Sequence, residues 1–159
     1  MDILHIRRYR ASDREAVWDL HNVALNAVGA HGGHGAFDDD LHHIESVYLS
    51  GGGEFLVGER AGRVVAMGAL KPNADDLPEI TRMRVHPDCW RRGFGRALLT
   101  RLEDRARELD YNRLYLVTTT RQTAAQKMYE NHGYTEVGRG RAHRFEFIRY
   151  EKQLTDDDN

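Results

Sequence analysis

Residues 79–109 change their hydrophobic period across a turn that contains two glycines. Residues 79–85 alternate apolar and polar side chains, as a β-strand does, whereas residues 93–109 place their apolar side chains on one helical stripe. Gly93 and Gly95 stand at the junction. The segment predicts a strand that turns sharply into the N-terminus of a helix.

The N-terminus of this helix is a predicted anion site. Its first backbone N–H groups have no acceptor within the helix, and the helix dipole concentrates positive charge there. Gly93 and Gly95 lack the Cβ atoms that would hold a diphosphate away. Positive charge is added by Arg91, Arg92 and Arg96. A pyrophosphate is the expected ligand, although an ordinary tight turn would give the same pattern.

Two familiar nucleotide motifs do not fit this turn. A dinucleotide-binding fingerprint would need a third glycine where Leu98 stands, and a Walker A loop would need Gly-Lys-Ser/Thr, which the chain lacks. The segment instead resembles motif A of the GNAT superfamily of acyl-CoA-dependent N-acyltransferases, where a strand ending in Val-x-Pro leads into Gln/Arg-x-x-Gly-x-Gly/Ala. The matching residues are Val85, Pro87, Gly93 and Gly95.

The resemblance implies that acetyl-CoA binds here, with its pyrophosphate held by the backbone amides of residues 91–96, Phe94 among them. Trp90 departs from the motif, because it occupies the position usually held by Gln or Arg. The family's contacts with the pyrophosphate run largely through backbone amides. We therefore expect Trp90 to alter packing around the loop without abolishing binding.

A second segment, residues 122–134, resembles motif B of the same family, Asn-x-x-Ala-x-x-x-Tyr-x-x-x-Gly-Phe, at the same spacings. Gln122 replaces the usual Asn and is one methylene longer, and it is carried over as a cofactor-binding residue. Tyr134 replaces the usual Phe. The identical positions are Ala125, Tyr129 and Gly133. Both motifs occur in the family's order with a strand between them, and the chain is identified as a member of this family.

The resemblance also implies a mechanism, direct transfer of the acetyl group to a primary amine of a small molecule or peptide. Glu79 matches the general-base glutamate of the family's histone-acetylating branch, provided that burial raises its pKa. Tyr129 matches the general acid that protonates the coenzyme thiolate. The carbonyl would be polarised by backbone amides at the splayed end of the strand, those of Met83, Arg84 and Val85.

Alternatives remain open at each of these positions. A solvated glutamate at a strand end, or a core tyrosine with a satisfied hydroxyl, would have the same sequence. The alternative function is a CoA-binding or protein-interaction module that has lost turnover. Cys89 lies in the cofactor loop, but we reject it as a covalent acyl carrier because the sequence places no base to activate it.

The charges of the expected acceptor pocket are compatible with two classes of amine. In the family this pocket is built by the first two helices and the closing hairpin, here residues 28–48 and 138–144. A cationic amine would be favoured by Asp38, Asp39, Asp40 and Glu45. A carboxylate-bearing amine such as an amino acid would be favoured by Arg139, Arg141 and Arg144. We prefer to interpret the aspartates as a solvated helix start.

The order of elements and the resemblance imply an α/β fold. We expect a mixed, mostly antiparallel sheet of six or seven strands, flanked by about four helices, with two parallel central strands that splay apart. Residues 12–15 have capping-box spacing before the first helix, and residues 37–49 predict a second one. The chain is expected to be one domain, residues 1–152, followed by an acidic tail, residues 153–159.

Composition limits the remaining possibilities. A formal net charge of −2 supplies no basic field that would recruit nucleic acid or an anionic membrane. No apolar run is long enough for a membrane span, and the N-terminal residues do not have the pattern of a signal peptide. The single cysteine agrees with a reducing compartment, so we expect a cytoplasmic protein. We expect no metal, because His31 and His34 supply too few ligands for structural zinc. Their loop is expected to be a mobile one on the acceptor side, and a homodimer is possible.

Overall fold

The computed structural model of the protein describes residues 3–29, 36–73, 75–142 and 145–154. The strands are β1 (His5–Arg8), β2 (Glu54–Arg60), β3 (Arg63–Lys71), β4 (Glu79–Val85), β5 (Arg113–Thr119), β6 (Thr135–Ala142) and β7 (Phe145–Gln153). The α-helices are α1 (Arg14–Ala27), α2 (Phe94–Glu108) and α3 (Thr123–Asn131). A 3-10 helix (Ala36–His42) and one turn of π-helix (Glu45–Leu49) lie between α1 and β2.

The seven strands form one sheet in the order β1-β2-β3-β4-β5-β7-β6. Every neighbouring pair is antiparallel except β4 and β5, which are parallel. Those two strands pair only where Glu79 meets Tyr115 and Ile80 meets Leu116. Beyond Ile80 they splay apart, and we call this opening the β4–β5 cleft. The predicted α/β fold with splayed central strands is confirmed.

A register shift in β4 helps to open the cleft. The pairing of β3 with β4 is interrupted between Met67 and Ala69, and Arg82 has a φ of 58°. An extra residue in one strand exchanges the faces on which the following side chains lie. Ile80, Met83 and Val85 therefore contact the same hydrophobic cluster, although Ile80 and Met83 are separated by an odd number of residues.

The sheet carries a hydrophobic core on each of its two faces. One core, on what we call the α2 face, packs α2 and α3 on the sheet through side chains such as Leu98, Leu102 and Tyr129. The other, on the α1 face, packs α1 and the π-helical turn through Val17, Leu20 and Tyr48. The β4–β5 cleft opens within the sheet that separates these two cores.

Two local predictions were wrong. The segment predicted as a second α-helix forms the 3-10 helix and the π-helical turn. Consecutive aspartates are poor helix formers, and two of them bind a distant arginine. The predicted capping box of residues 12–15 is absent, since Asp13 is the N-cap of α1 and makes no side-chain cap. Its carboxylate accepts instead from Arg7 at 2.8 Å.

The end of the chain is packed as far as Leu154, which is buried and whose amide donates to the carbonyl of Asn112. Residues 155–159, most of the expected acidic tail, lie outside the described residues. Where the structure describes the chain, no helix combines the length and the apolar character needed to cross a membrane.

Leu102 tests whether α2 supplies the core as described. It is 0% exposed, whereas Val137 on β6 is 51% exposed. We expect Leu102→Ala to lower the free energy of unfolding by about 3 kcal/mol, because it removes buried methyl groups and leaves a cavity. Val137→Ala should change it by less than about 0.5 kcal/mol. Urea unfolding of both variants checks this, and equal losses would contradict the packing of α2.

Candidate active site

The open end of β4 presents backbone groups to the β4–β5 cleft. The amide of His86 donates to the carbonyl of Val65 on β3 at 2.8 Å. Backbone N–H groups alternate between the two sides of a strand, so the amides of Val85 and Met83 point away from β3 and into the cleft. Arg84 lies between them, and the same alternation turns its amide towards β3.

The carbonyls on this edge are already occupied by side chains of the protein. The indole N–H of Trp90 donates to the carbonyl of Val85 at 2.9 Å. Nη1 of Arg84 donates to the carbonyl of Met83, also at 2.9 Å. Trp90 therefore ties the loop to the end of β4, although the residue is 42% exposed. What remains on this edge is a pair of N–H donors.

The N-terminus of α2 forms the expected cradle of amides. The carbonyl of Gly93 accepts the amide of Ala97, so the amides of residues 94–96 lie in the first turn, before any intrahelical acceptor. The loop reaches this turn through left-handed residues, with a φ of 64° at Arg91 and 80° at Gly93. Three arginines surround it with exposed side chains: Arg91, Arg92 and Arg96.

Glycine suits the two positions of the turn for different physical reasons. Gly93 has a positive φ that favours glycine, although an added Cβ would meet nothing within 4 Å. Gly95 has no such conformation and lies in the helix, where a Cβ would stand 3.1 Å from Sδ of Met128. Phe94 is buried in the core, so it can meet a ligand only through its backbone.

Tyr129 is buried in the core of the α2 face, against which Met83 and Val85 also pack. It is 5% exposed and packs edge-on against Tyr134, with a centroid distance of 5.8 Å. Within the described residues, no hydrogen bond joins its hydroxyl to another protein group. Burial, partly opposed by the charge of Arg84, raises the pKa of Tyr129 to about 12. The phenol therefore stays protonated at neutral pH.

Gln122 joins the end of β5 to the start of α3. Its side-chain oxygen accepts hydrogen bonds from the hydroxyl of Thr119 at 3.0 Å, the amide of Thr119 at 3.2 Å and the hydroxyl of Thr118 at 3.2 Å. The carbonyl half of this amide is occupied within the protein. Only its Nε2 group is left to contact a cofactor.

Glu79 lies at the other end of β4, on the α1 face. Its Oε1 accepts from the hydroxyl of Tyr115 at 3.3 Å, and that hydroxyl accepts from Asn73 at 3.2 Å. Burial raises the pKa of Glu79, although Lys71 and the bond from Tyr115 oppose the shift. A cavity of about 450 Å³ lies beside it, lined by Asn73, Asp75, Leu77, Tyr115 and Arg149.

Arg82, at the register shift, anchors a set of charges that sequence reasoning missed. Its guanidinium binds both oxygens of Asp40, at 2.6 and 3.0 Å, and approaches Asp38 at 3.5 Å. The hydroxyl of Tyr48 donates to the same Asp40. Asp38 is buried and Asp40 is half-buried, so the interpretation as a solvated helix start was wrong for these two, whereas Asp39 is exposed in the first turn as expected. Both Asp38 and Asp40 are occupied by a cation of the protein.

No carboxylate of the described residues binds Arg84 in this way. Its Nε lies 3.4 Å from Nδ1 of His21 on α1, and its Nη1 bonds the carbonyl of Met83. Nε2 of His21 lies 3.0 Å from Asp38. Because Arg84 can only donate, these partners assign the proton of His21 to Nε2. A short chain of hydrogen bonds from Asp38 through His21 thus supports Arg84.

Other residues proposed from the sequence are less informative. Arg139 pairs with exposed Glu136 at 2.8 Å on β6, and Arg141 is exposed on the same strand. His31, His34 and Arg144 lie outside the described residues. Among the residues that the structure does describe, no three His, Cys, Asp or Glu side chains are grouped to hold a metal ion.

The chain is similar to known acetyltransferases in sequence and in fold. The model of the acetyltransferase (GNAT) family matches residues 14–134. The chain is 29% identical to the uncharacterized N-acetyltransferase YjgM of Escherichia coli K12 over 137 residues, 83% of this chain and 82% of that protein. It is 34% identical to an amino-acid acetyltransferase of Azotobacter vinelandii over 102 residues, 63% of this chain, but spans only 24% of that protein's length.

Among solved structures, a GNAT-family acetyltransferase from Staphylococcus aureus Mu50 superposes with a TM-score of 0.88. The superposition covers 96% of this chain and all of that one, at 21% sequence identity. At this identity the likeness establishes the fold alone.

Asp40 tests the anchoring of Arg82. Burial would raise its pKa, but the hydrogen bonds and charge of Arg82 outweigh this, and the pKa lies below the ordinary 3.8. Asp40→Asn should lower the free energy of unfolding by about 3 kcal/mol at pH 7, because it leaves a buried guanidinium short of an anion. The difference from wild type should shrink as the pH falls below 3.8 through the lowered pKa, where wild-type Asp40 is itself protonated.

Urea unfolding at several pH values measures this effect. Asp39→Asn is the matched control, because Asp39 is an exposed neighbour in the same short helix. A loss at pH 7 no larger than that of the control would show that the ion pair does not hold Arg82.

Proposed function

We propose, since the chain belongs to the acetyltransferase (GNAT) family, that it transfers the acetyl group of acetyl-CoA to a primary amine of a small molecule or peptide. The observation that carries the proposal is the β4–β5 cleft, where Met83 and Val85 keep their N–H donors while side chains of the protein bond their carbonyls. The N-terminus of α2 follows β4 through the loop of residues 86–93, and Tyr129 is buried in the core against which Met83 and Val85 pack. Thioester and amide carbonyls are acceptors that such N–H donors can bind.

The cradle of residues 91–96 would hold the pyrophosphate of acetyl-CoA. Its first-turn amides and the helix dipole suit a diphosphate, and the exposed arginines at its rim add charge. The donors of Met83 and Val85 would hold the pantetheine arm and the acetyl carbonyl. Nε2 of Gln122 is a further donor at the end of β5.

The reaction forms a C–N bond and breaks the C–S bond, while the amine loses a proton and the sulfur gains one. Negative charge develops on the carbonyl oxygen, which the amides of Met83 and Val85 would stabilise without moving. Tyr129 would give its phenolic proton to the departing thiolate. Fixed amide donors supply the polarisation, so the step needs no metal.

Glu79 would take the proton of the ammonium form of the amine, because its raised pKa makes it a better base than an exposed glutamate. Four residue steps separate it from Met83, roughly 13 Å along an extended strand. This spacing favours a proton path through water over direct contact with the amine.

We also propose a cytoplasmic location and a homodimer. A cytoplasmic location is supported by Cys89, which is buried and unpaired. The proposed homodimer is tested by light scattering at assay concentration. Neither a nucleic acid nor a membrane is needed for the proposed reaction.

The proposed function is tested by titrating the protein with acetyl-CoA and then measuring thiol release. A panel of polyamines, amino acids, aminoglycosides and peptides supplies the amines. Amine-dependent thiol release, with formation of the N-acetyl product, supports the transferase. Tight acetyl-CoA binding without release on any amine would instead support the alternative, a CoA-binding module without turnover.

Glu79→Gln tests the base. We expect kcat/KM for the amine to fall by about 100-fold at neutral pH, because a carboxamide cannot accept the proton. In the wild type kcat/KM should rise with pH through the raised pKa of Glu79, and the variant should lack that rise. Glu136→Gln, on exposed β6, is the control. An unchanged pH profile in Glu79→Gln would remove Glu79 from the mechanism.

Gly95→Val and Tyr129→Phe should separate binding from chemistry. The valine should block approach to the first-turn amides and weaken acetyl-CoA binding at least tenfold, about 1.4 kcal/mol. The phenylalanine should spare that affinity and lower kcat, because the lost hydroxyl acts mainly as the thiolate leaves. Calorimetry and steady-state kinetics measure the two effects.

The valine also has to displace Met128, so its thermal unfolding must be compared with that of the wild type. Gly138→Val is the matched control, because a Cβ at Gly138 meets nothing within 4 Å. Near-wild-type cofactor binding by Gly95→Val would place the pyrophosphate elsewhere.

A further inference from the structure

Arg84 lies at the edge of the β4–β5 cleft, on the α1 face of the sheet. Met83 and Val85 contact the core of the α2 face, whereas Arg84 contacts His21 of α1 and therefore lies on the α1 face. Its guanidinium also reaches the carbonyl of Met83, which faces the β4–β5 cleft. The charge thus stands at the cleft edge, on the face that also carries Glu79.

The hydrogen bonds of Arg84 are incomplete. A guanidinium has five N–H groups, and within the described residues only two of these are matched with an acceptor, one of them at 3.4 Å. No described carboxylate lies within 4.0 Å of Arg84, whereas Arg82 has two. The side chain is partly buried, so bulk water only partly replaces the missing anion.

The pKa values of Arg82 and Arg84 reflect this difference in carboxylate partners. Burial would lower the pKa of Arg82, but Asp40 raises it above the ordinary value. Burial and the charge of Arg82 together lower the pKa of Arg84 to about 10. Arg84 therefore stays charged at neutral pH in a place that disfavours its charge, and a bound anion would relieve this.

The protein holds Arg84 in position without neutralising it by contact. Asp38 accepts from His21, and the opposite nitrogen of that ring meets Nε of Arg84. His21 is 1% exposed, so its ring is enclosed by the protein where it meets Arg84. The result is an oriented guanidinium whose remaining donors are available to a ligand.

We propose that Arg84 is the anion receptor of the acceptor subsite, and that the amine accepted by this protein is a small molecule carrying a carboxylate, as an amino acid does. This inference rests on the proposed transferase function and names its substrate class. A cationic amine is disfavoured, because Asp38 and Asp40 are occupied by Arg82 and the approaching ligand meets Arg84 instead.

The test compares amino acids with their primary amides, which keep the amine and lose only the carboxylate charge. In the wild type we expect kcat/KM to favour the acids by about 10- to 100-fold, the range expected for hydrogen bonds to a charged group. In Arg84→Gln this ratio should fall close to one, mainly through a higher KM for the acids. Arg84→Lys should keep part of the preference, because it keeps the charge but not the planar fork.

Arg141→Gln is the control, because it removes an exposed arginine that the sequence proposed for the same task. The acid-to-amide ratio should be unchanged in it. A wild-type enzyme without preference for acids, or an Arg84→Gln variant that keeps the preference, would overturn the proposal. Loss of the preference in Arg141→Gln but not in Arg84→Gln would move the receptor to β6.

Binding distinguishes failure of this inference from failure of the proposed function. If no amine releases thiol, calorimetric titration of the same amino acids into the protein saturated with coenzyme A still tests Arg84. Binding of acids that is lost in Arg84→Gln would support the receptor without a transferase. No binding of any acid to the wild type would overturn it. Thermal unfolding of Arg84→Gln shows whether the variant is folded.

Discussion

The one-residue register shift at Arg82 is the constraint on which the rest of the site depends. It exchanges the faces of β4, so that Met83 and Val85 enter the core with Ile80 while Arg84 remains on the α1 face. It also adds local twist, which helps β4 to leave β5 after only two paired positions. A regular strand would place Arg82 and Arg84 on the face of Ile80, against α2.

The shift is held by charge as well as by packing. Arg82 has a left-handed backbone that disfavours a non-glycine residue, and its guanidinium is fixed by Asp40 from the 3-10 helix. Removing that pair would release both the strand conformation and the segment that follows α1. The same carboxylates bind Arg82, and no described carboxylate contacts Arg84. One set of ions therefore has two effects. It stabilises the conformation of β4, and it leaves Arg84 for the recognition that we propose for the acceptor.

The sequence was sufficient for features that depend on neighbouring residues. The strand of residues 79–85, the turn and α2 follow from periodicity and glycine placement, and β4 has the predicted bounds. The set of ions around Arg82 could not be predicted, because Asp40 is 42 residues away in the sequence. One signal was overlooked: the odd spacing of Ile80 and Met83, both apolar, breaks the alternation of the strand. The roles of Glu79 and Tyr129 stay predictions.

The capping of the Met83 and Val85 carbonyls also affects how the molecule meets other chains. An exposed strand edge usually offers donors and acceptors in alternation, and another strand can pair with it. Arg84 and Trp90 take up the acceptors here, so the edge lacks half of what a β-ladder requires. Regular pairing with β5, or with a strand of a neighbouring molecule, is therefore disfavoured at this edge. The protein can keep an opening in the middle of its sheet without offering an edge for aggregation.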